Sequence, residues 1–142
     1  MNFWDSSAVA PLLVRQAHSD EVVRLYRSRP ALAVWWGCRV ECESAIARLI
    51  RRGELTPHHG DDARQALARL ANEWMEVKPS EEVRSLAIRL LRVHDLRTAD
   101  ALQLAAALVV LPRGEGGFVC LDRKLQHSAR LEGFRPPPAM TP

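Results

Sequence analysis

Cysteine and lysine are both scarce in this sequence. The three cysteines, Cys38, Cys42 and Cys120, are odd in number and form no C-x-x-C pair, so neither a disulfide framework nor a zinc site is indicated. Reduced, buried thiols fit a cytosolic protein, and we therefore expect a cytoplasmic location. Among the 20 basic residues only Lys78 and Lys124 are lysines. This excess of arginine over lysine does not by itself indicate a function, although the arginine guanidinium binds phosphate groups better because it can donate two parallel hydrogen bonds.

The chain also lacks any apolar run long enough to span a bilayer, which takes about 20 residues. Its first residues have no basic segment ahead of an apolar core, so we expect no signal peptide and no membrane association. The 142 residues contain no internal repeat and no linker, which suits one domain. We expect that domain to cover residues 1–135 and a flexible, Pro-rich tail to cover 136–142. The net charge of +3 permits a nucleic-acid partner without requiring one.

The most apolar stretch, residues 96–111, predicts a buried central helix. Thr98 is its predicted N-cap, and Asp100 lies in its first turn, where a negative charge suits the helix dipole. Beyond Asp100 the helix carries one polar side chain, Gln103. The only acid of the central helix is therefore expected at its amino-terminal end.

Strands and helices alternate along the rest of the chain. Predicted strands cover residues 1–4, 31–36 and 118–121, and predicted helices cover 6–14, 19–29, 39–52, 56–74, 80–93 and 122–133. This alternation predicts an α/β domain with a mainly parallel sheet, whose ligands bind beyond the carboxyl ends of the strands. Asp5 and Asp122 directly follow predicted strands, and Asp100 could join them at that edge.

These three aspartates and a glutamate from the 39–52 helix suggest a carboxylate cluster. Each acid alone has a simpler explanation as a helix cap or a solvated side chain, and only the set favours a site. Several carboxylates cannot lie together fully ionised without a cation. Oxygen ligands without histidine or cysteine suit magnesium or manganese, and the five histidines show no ligand spacing. Such a metal can activate water and stabilise a phosphodiester under attack.

Four segments carry a family resemblance, in matching order and spacing: FWDSSA, VECESAIARL, TADALQLAAA and FVCLDRKL. They resemble PIN-domain ribonucleases, and most of all the VapC-type toxins of bacterial toxin–antitoxin pairs. The resemblance implies a three-layer α/β/α PIN-like fold with a short, mainly parallel central sheet. It also implies a magnesium-dependent endoribonuclease, with manganese as a possible substitute, that hydrolyses single-stranded or structured RNA. An antitoxin partner and a homodimer are further implications.

Carried over residue by residue, the resemblance places Asp5, Asp100 and Asp122 in the three aspartate positions that bind metal and catalyse. Ser6 matches the hydroxyl residue that follows the first aspartate and can steady water or a ligand. Cys120 departs from the family, which often has threonine there. We expect that change to remove a hydrogen bond to the acids and to leave a second metal position open to question.

The glutamate position is contested between Glu41 and Glu43. Both flank the apolar stripe of their helix, on opposite sides, so periodicity does not choose between them. The family pattern has a small residue four places after the metal glutamate and often an arginine seven places after. Ala45 and Arg48 fit that spacing for Glu41, which we therefore favour as the fourth catalytic and metal-binding residue.

Arg97, Arg123 and Lys124 stand beside the acids in sequence and are candidates for binding RNA phosphates, although solvated surface is the simpler interpretation. Two other functions remain open: an RNA-processing enzyme of this fold without a toxin role, and a binding module with weak catalysis. The presence of all four acids argues against the binding module. A small antitoxin gene directly upstream would separate a toxin from a processing enzyme.

Overall fold

A parallel sheet forms the centre of the protein. The computed structural model describes residues 1–111 and 115–137, and within them the sheet has four strands in the order β3-β2-β1-β4. The strands are β1 (Asn2–Trp4), β2 (Leu32–Trp35), β3 (Met75–Val77) and β4 (Phe118–Val119). All three strand pairs are parallel, with Phe3 of β1 opposite Ala33 on one side and Phe118 on the other. The carboxyl ends of all these strands therefore lie at one edge.

Helices cover both faces of the sheet. They are α1 (Ser6–Leu13), α2 (Ser19–Ser28), α3 (Cys38–Arg51), α4 (Pro57–Ala71), α5 (Glu81–Val93), α6 (Thr98–Val110) and α7 (Arg123–Leu131). Because side chains alternate along a strand, Phe3 packs with α5, α6 and α7, whereas Trp4 packs with α1 to α4. The result is the three-layer α/β/α arrangement that the sequence predicted.

The predicted helix at residues 56–74 is too long, because a strand was missed. The helix α4 ends at Ala71, and β3 begins after three intervening residues as an edge strand beside β2. No glycine or proline separates the two elements, and β3 is only three residues long with the acidic Glu76 at its centre. Trp74, predicted as helical, instead lies in the connection and is buried against the α1–α4 face.

The central helix is where the sequence placed it, but its cap is different. Residues from Ala101 to Ala107 are almost all fully buried. Thr98 is wrong as the N-cap: Arg97 occupies that position and the structure shows no side-chain capping bond there. No helix in the described residues is long and apolar enough to cross a membrane. Most of the predicted tail, residues 138–142, lies outside the described residues, as do residues 112–114 of the predicted loop before β4.

Candidate active site

The four acids selected from the sequence line one cavity of about 680 Å³ at the carboxyl edge of the sheet. Asp5 follows β1, Asp122 lies between β4 and α7, Asp100 is in the first turn of α6, and Glu41 is in the first turn of α3. Parallel topology explains the meeting, since each residue lies just beyond a strand end or at the start of a helix that packs there. We call this cavity the acidic groove.

Asp5 is the most enclosed of the four acids, with only 4% of its surface exposed. Its Oδ2 accepts a hydrogen bond from the backbone N–H of Ser7 at 3.1 Å and so caps α1. The Cys120 thiol donates to the same oxygen at 3.7 Å. Burial raises the pKa of the Asp5 carboxyl, and these hydrogen bonds oppose the rise only in part.

Glu41 is held in the groove by two side chains. Its Oε2 accepts from the Ser6 hydroxyl at 3.2 Å, and its Oε1 accepts from the Gln103 amide Nε2 at 2.8 Å. Burial raises the pKa of Glu41, and repulsion from Asp5 raises it further. Glu43 lies on the other side of α3, where it pairs with Arg64 of α4 at 3.2 Å. The structure therefore places Glu41, and not Glu43, beside the aspartates.

Asp100 and Asp122 complete the acidic groove. Burial raises the pKa of Asp100, repulsion from Asp5 and then Asp122 adds to the rise, and the nearby Arg97 charge opposes it. Asp122 caps α7, with its Oδ1 accepting from the backbone N–H of Leu125 at 2.9 Å. Within residues 1–111 and 115–137, none of the four acids belongs to an ion pair. Arg97 and the hydrogen bonds to Glu41 thus offset only part of the repulsion among these carboxylates.

The donor chemistry of the acidic groove fits a hard divalent cation. It offers four carboxylates and no histidine, and unpaired carboxylates that raise one another's pKa are stabilised by a positive ion. In the arrangement present, no three His, Cys, Asp or Glu side chains of the described part of the chain are grouped closely enough to hold a metal ion. A cation held by three of these carboxylates would require the side chains to move towards one another, whereas magnesium needs only one or two carboxylates, with waters completing its shell.

Three residues of the site were not selected as such from the sequence. Gln103 is fully buried and donates to Glu41, while its own Oε1 has no described hydrogen-bond partner. Its signal was that it is the one polar side chain in an apolar helix. Ser7 Oγ accepts from the backbone N–H of Leu121, which ties the start of α1 to the segment after β4. Cys120 was expected to lose its bond to the acids, and that expectation is wrong, because its thiol bonds to Asp5.

The basic residues near the acids divide into two groups. Arg48 and Arg52, on the last turn and at the carboxyl end of α3, line the acidic groove itself. Of the predicted RNA-binding residues, Arg123 and Lys124 instead line a neighbouring cavity of about 440 Å³ between α5 and α7. Lys124 pairs there with Asp95 at 2.8 Å. Arg97, which precedes α6, is exposed and close enough to lower the pKa of Asp100.

The fold matches that of a solved toxin. The crystal structure of Mycobacterium tuberculosis VapC20, a sarcin–ricin loop cleaving toxin, superposes with a TM-score of 0.69 over 95% of this chain and 97% of that one. The two sequences are 21% identical, so this likeness establishes the fold alone. A parallel α/β/α domain of this shape is the PIN-like class that the sequence predicted.

Two relatives extend the likeness to sequence. Ribonuclease VapC45 of Mycobacterium tuberculosis strain CDC 1551 and ribonuclease VapC49 of strain H37Rv are each 32% identical to this chain over 151 residues. Each match covers 96% of this chain and 94% of the relative. No protein-family model matches the chain. Identity at this level over nearly the whole length shows that the chain belongs to the VapC family of PIN-domain ribonucleases, as its sequence motifs predicted.

Proposed function

We propose that the protein is a metal-dependent endoribonuclease that hydrolyses single-stranded RNA in the acidic groove. The observation that carries this proposal is the meeting of four carboxylates in one cavity, none of them in an ion pair with a described residue. Asp5, Glu41, Asp100 and Asp122 are the residues that would hold magnesium, with manganese as a substitute. A divalent cation held there would lower the pKa of a bound water and would offset the charge that develops on the phosphodiester.

The protein's own residues orient the reacting groups. Ser6 and Gln103 fix both oxygens of Glu41, and the thiol of Cys120 and the backbone of Ser7 fix Oδ2 of Asp5. Carboxylates held in this way need little rearrangement as charge develops, which is the basis of electrostatic catalysis. Since all four acids are negative, the proposal also requires positive groups to receive the RNA backbone.

Arg48 and Arg52 are suited to receive the RNA backbone, because they share the acidic groove with the four acids. They follow Glu41 by seven and eleven residues on the same side of α3. At 1.5 Å per residue they stand about 10 and 16 Å along the helix axis from that glutamate. We infer that an RNA strand lies along α3, with its scissile bond at the acids and neighbouring phosphates at the two arginines.

The test is cleavage of a single-stranded RNA by purified protein in magnesium, in manganese and in EDTA. Activity should require a divalent cation. Because water is the proposed nucleophile, the products should carry a 5′-phosphate and a 3′-hydroxyl. Full activity in EDTA would contradict the proposal, and so would a 2′,3′-cyclic phosphate, which would mean attack by the RNA's own 2′-hydroxyl.

We further propose that the enzyme is the toxin of a toxin–antitoxin pair. Family membership supports this role, and an unpaired acidic groove suits a partner that places an arginine against the carboxylates. Induced expression should arrest growth, and co-expression with the gene directly upstream should relieve the arrest and yield a co-purifying complex with less nuclease activity. Active nuclease without growth arrest would favour RNA processing. Absence of nuclease activity with RNA binding retained would favour a binding module.

A homodimer is part of the same proposal. Trp36 is half exposed and Val40, four residues later, is 66% exposed, which leaves an apolar patch at the start of α3. Burying such a patch against a second copy would be favourable. Light scattering at high concentration should report twice the chain mass, and Trp36→Ser should shift that mass towards the monomer. A monomeric wild-type protein would contradict this part.

A further inference from the structure

A second cavity lies at the opposite edge of the sheet from the four acids. It has a volume of about 860 Å³ and is lined by the start of β1, the end of α2, the residues just before β4 and the segment after α7. Asn2 lines this cavity, whereas Asp5, three residues later, lines the acidic groove. At about 3.3 Å per residue, some 10 Å of strand separates the two sites. They therefore open at opposite ends of the strands.

Three arginines give the second cavity its charge. Arg24, Arg29 and Arg135 line it, no acidic residue among the described residues does, and we call it the arginine cavity. None of the three belongs to an ion pair within the described part of the chain, whereas Arg89 on α5 is held by both carboxylate oxygens of Glu132. Unpaired guanidinium groups around one concave surface attract anions.

A buried amide adds a neutral donor to this cavity. Asn2 is 4% exposed, and its Oδ1 accepts from the backbone N–H of Gly117 at 3.0 Å. That bond fixes the amide and leaves its Nδ2 without a described hydrogen-bond partner. The Ser28 hydroxyl, also at this cavity, already donates to the Leu25 carbonyl at 2.7 Å. The donors that remain are the Asn2 amide and the three guanidinium groups, and a set of donors without an acid fits an anion.

Phosphate is the anion that this set fits best in a ribonuclease. Guanidinium groups bind phosphate oxygens through two parallel N–H bonds, and an amide supplies a further donor. RNA carries such a phosphate at every nucleotide. We propose that the arginine cavity binds a backbone phosphate of the RNA substrate, far from the bond that is cut. This proposal rests on the proposed ribonuclease activity.

The position of the arginine cavity determines which RNA can use it. The sheet and its helices separate it from the acidic groove, so a strand must pass around the protein to occupy both. A short oligonucleotide that fills the acidic groove does not reach the arginine cavity, whereas a long or folded RNA does. The cavity therefore selects for long or folded RNA through KM, without affecting the chemical step.

The experiment compares Arg24→Gln/Arg135→Gln with Arg69→Gln/Arg92→Gln, a control of equal net charge. Arg69 and Arg92 are exposed helix residues that line neither the acidic groove nor the arginine cavity. With a long folded RNA, the test variant Arg24→Gln/Arg135→Gln should have a KM roughly 10-fold higher than the control, at unchanged kcat. The slope of log KM against log salt concentration should be smaller in the test variant by about 1 to 2. With a short oligonucleotide, KM should stay as in the control.

A second measurement uses pyrophosphate as a probe. It should raise the melting temperature of the wild type and the control, and do so less in the test variant. Equal KM changes for both RNA lengths, or for both double variants, would overturn the proposal. The proposal would also be overturned if the test variant lost pyrophosphate stabilisation but kept the wild-type KM for long RNA. That result would indicate that the cavity binds a free phosphate compound.

Failure of the proposed ribonuclease activity would look different, because the wild type would then cleave neither RNA. In that case, binding of the long RNA decides: weaker binding by the test variant than by the control supports the arginine cavity, and equal binding rejects it. The single variant Arg24→Gln replaces the double variant if the latter does not fold, with Arg69→Gln as its control.

Discussion

The two ends of the central sheet carry opposite charge. At the carboxyl end, four acids line one groove, and at the amino end, three arginines line another. Parallel topology accounts for the acidic groove, because the carboxyl ends of the strands and the amino-terminal ends of several helices meet at that edge. Acidic residues are favourable at the amino-terminal end of a helix. At the amino edge, Arg29 follows the end of α2, where positive charge suits the helix dipole, and Arg135 lies in a β-bridge with Gly117 just before β4.

This contrast shows that the parallel topology places acidic residues at one end of the sheet and basic residues at the other. The acidic end is electrostatically unfavourable, since burial raises the pKa of Asp5, Glu41 and Asp100, and repulsion from Asp5 adds to the rise for Glu41 and Asp100. The basic end shows no comparable crowding of charge, because its arginines are exposed. We therefore expect substitutions at the acidic end to affect catalysis and apo stability together, and substitutions at the basic end to affect RNA affinity alone.

The largest expected effect is at the acidic end. Asp100→Asn removes one carboxylate from the groove and should lower kcat for RNA cleavage by at least about 100-fold, the scale seen when one preorganised electrostatic group is lost. The control is Asp95→Asn, an exposed acid that pairs with Lys124 outside the acidic groove. Single-turnover cleavage of a labelled RNA measures both. Equal rates for Asp100→Asn and the wild type would remove Asp100 from the site.

A smaller loss should follow from Gln103→Leu. It removes the 2.8 Å bond to Glu41, and a hydrogen bond to a charged group contributes about 1.5–3 kcal/mol, so kcat should fall at least about 10-fold. Stability should not fall in parallel, because the change also removes a buried oxygen without a described partner. Activity and urea unfolding should be measured on the same sample. Loss of stability without loss of activity would make Gln103 a packing residue only.

The free energy of unfolding should depend on pH in the opposite sense to that of a protein whose carboxylates are paired with basic side chains. The pKa values of Asp5, Glu41 and Asp100 are raised in the folded state, so the folded protein binds more protons than the unfolded chain above their ordinary values of 3.8 to 4.5. The free energy of unfolding in EDTA should therefore fall as pH rises through these raised values. Asp100→Asn should flatten that fall in urea titrations. An unchanged slope would contradict the repulsion.

The smallest effect should come from the other glutamate of α3. Glu43→Gln breaks a half-exposed ion pair with Arg64, and such pairs contribute about 0.2–1 kcal/mol. RNA cleavage should be unchanged, because Glu43 lies outside the acidic groove. Arg64→Gln should have the same small effect on unfolding and serves as the matched variant. A loss of cleavage in Glu43→Gln alone would reverse the assignment on this helix.

Sequence reasoning succeeded where position along the chain fixes position in space. Asp5 directly follows β1, and Asp122 comes three residues after Val119, where β4 ends two residues earlier than predicted, so a parallel sheet still brings both acids to one edge. Glu41 and Glu43 could not be separated by periodicity, since each lies beside the same apolar stripe, and family spacing favoured the one that now lines the groove. Gln103 stood out as the one polar side chain of its helix, but its contact with Glu41 could not be predicted, because the two residues lie 62 positions apart and no local pattern records the pairing.

The secondary structure likewise contains elements that local sequence predicts and elements that it does not. Helices with strong caps, such as α5 behind Ser80, were predicted nearly to the residue. The strand β3 was missed because three residues around a glutamate do not show a strand pattern without knowledge of their neighbour β2. The arginine cavity could not be predicted at all, since its three arginines come from separate segments with no shared motif.

The central claim is that Glu41 and the three aspartates repel one another until a cation binds between them. The most direct test is the melting temperature of the wild type, Glu41→Gln and Glu43→Gln, each in EDTA and in magnesium. We predict that Glu41→Gln melts above the wild type in EDTA, because one repelling charge is gone, and gains little from magnesium. Glu43→Gln should gain as much as the wild type. Equal magnesium stabilisation of Glu41→Gln and the wild type would contradict the account.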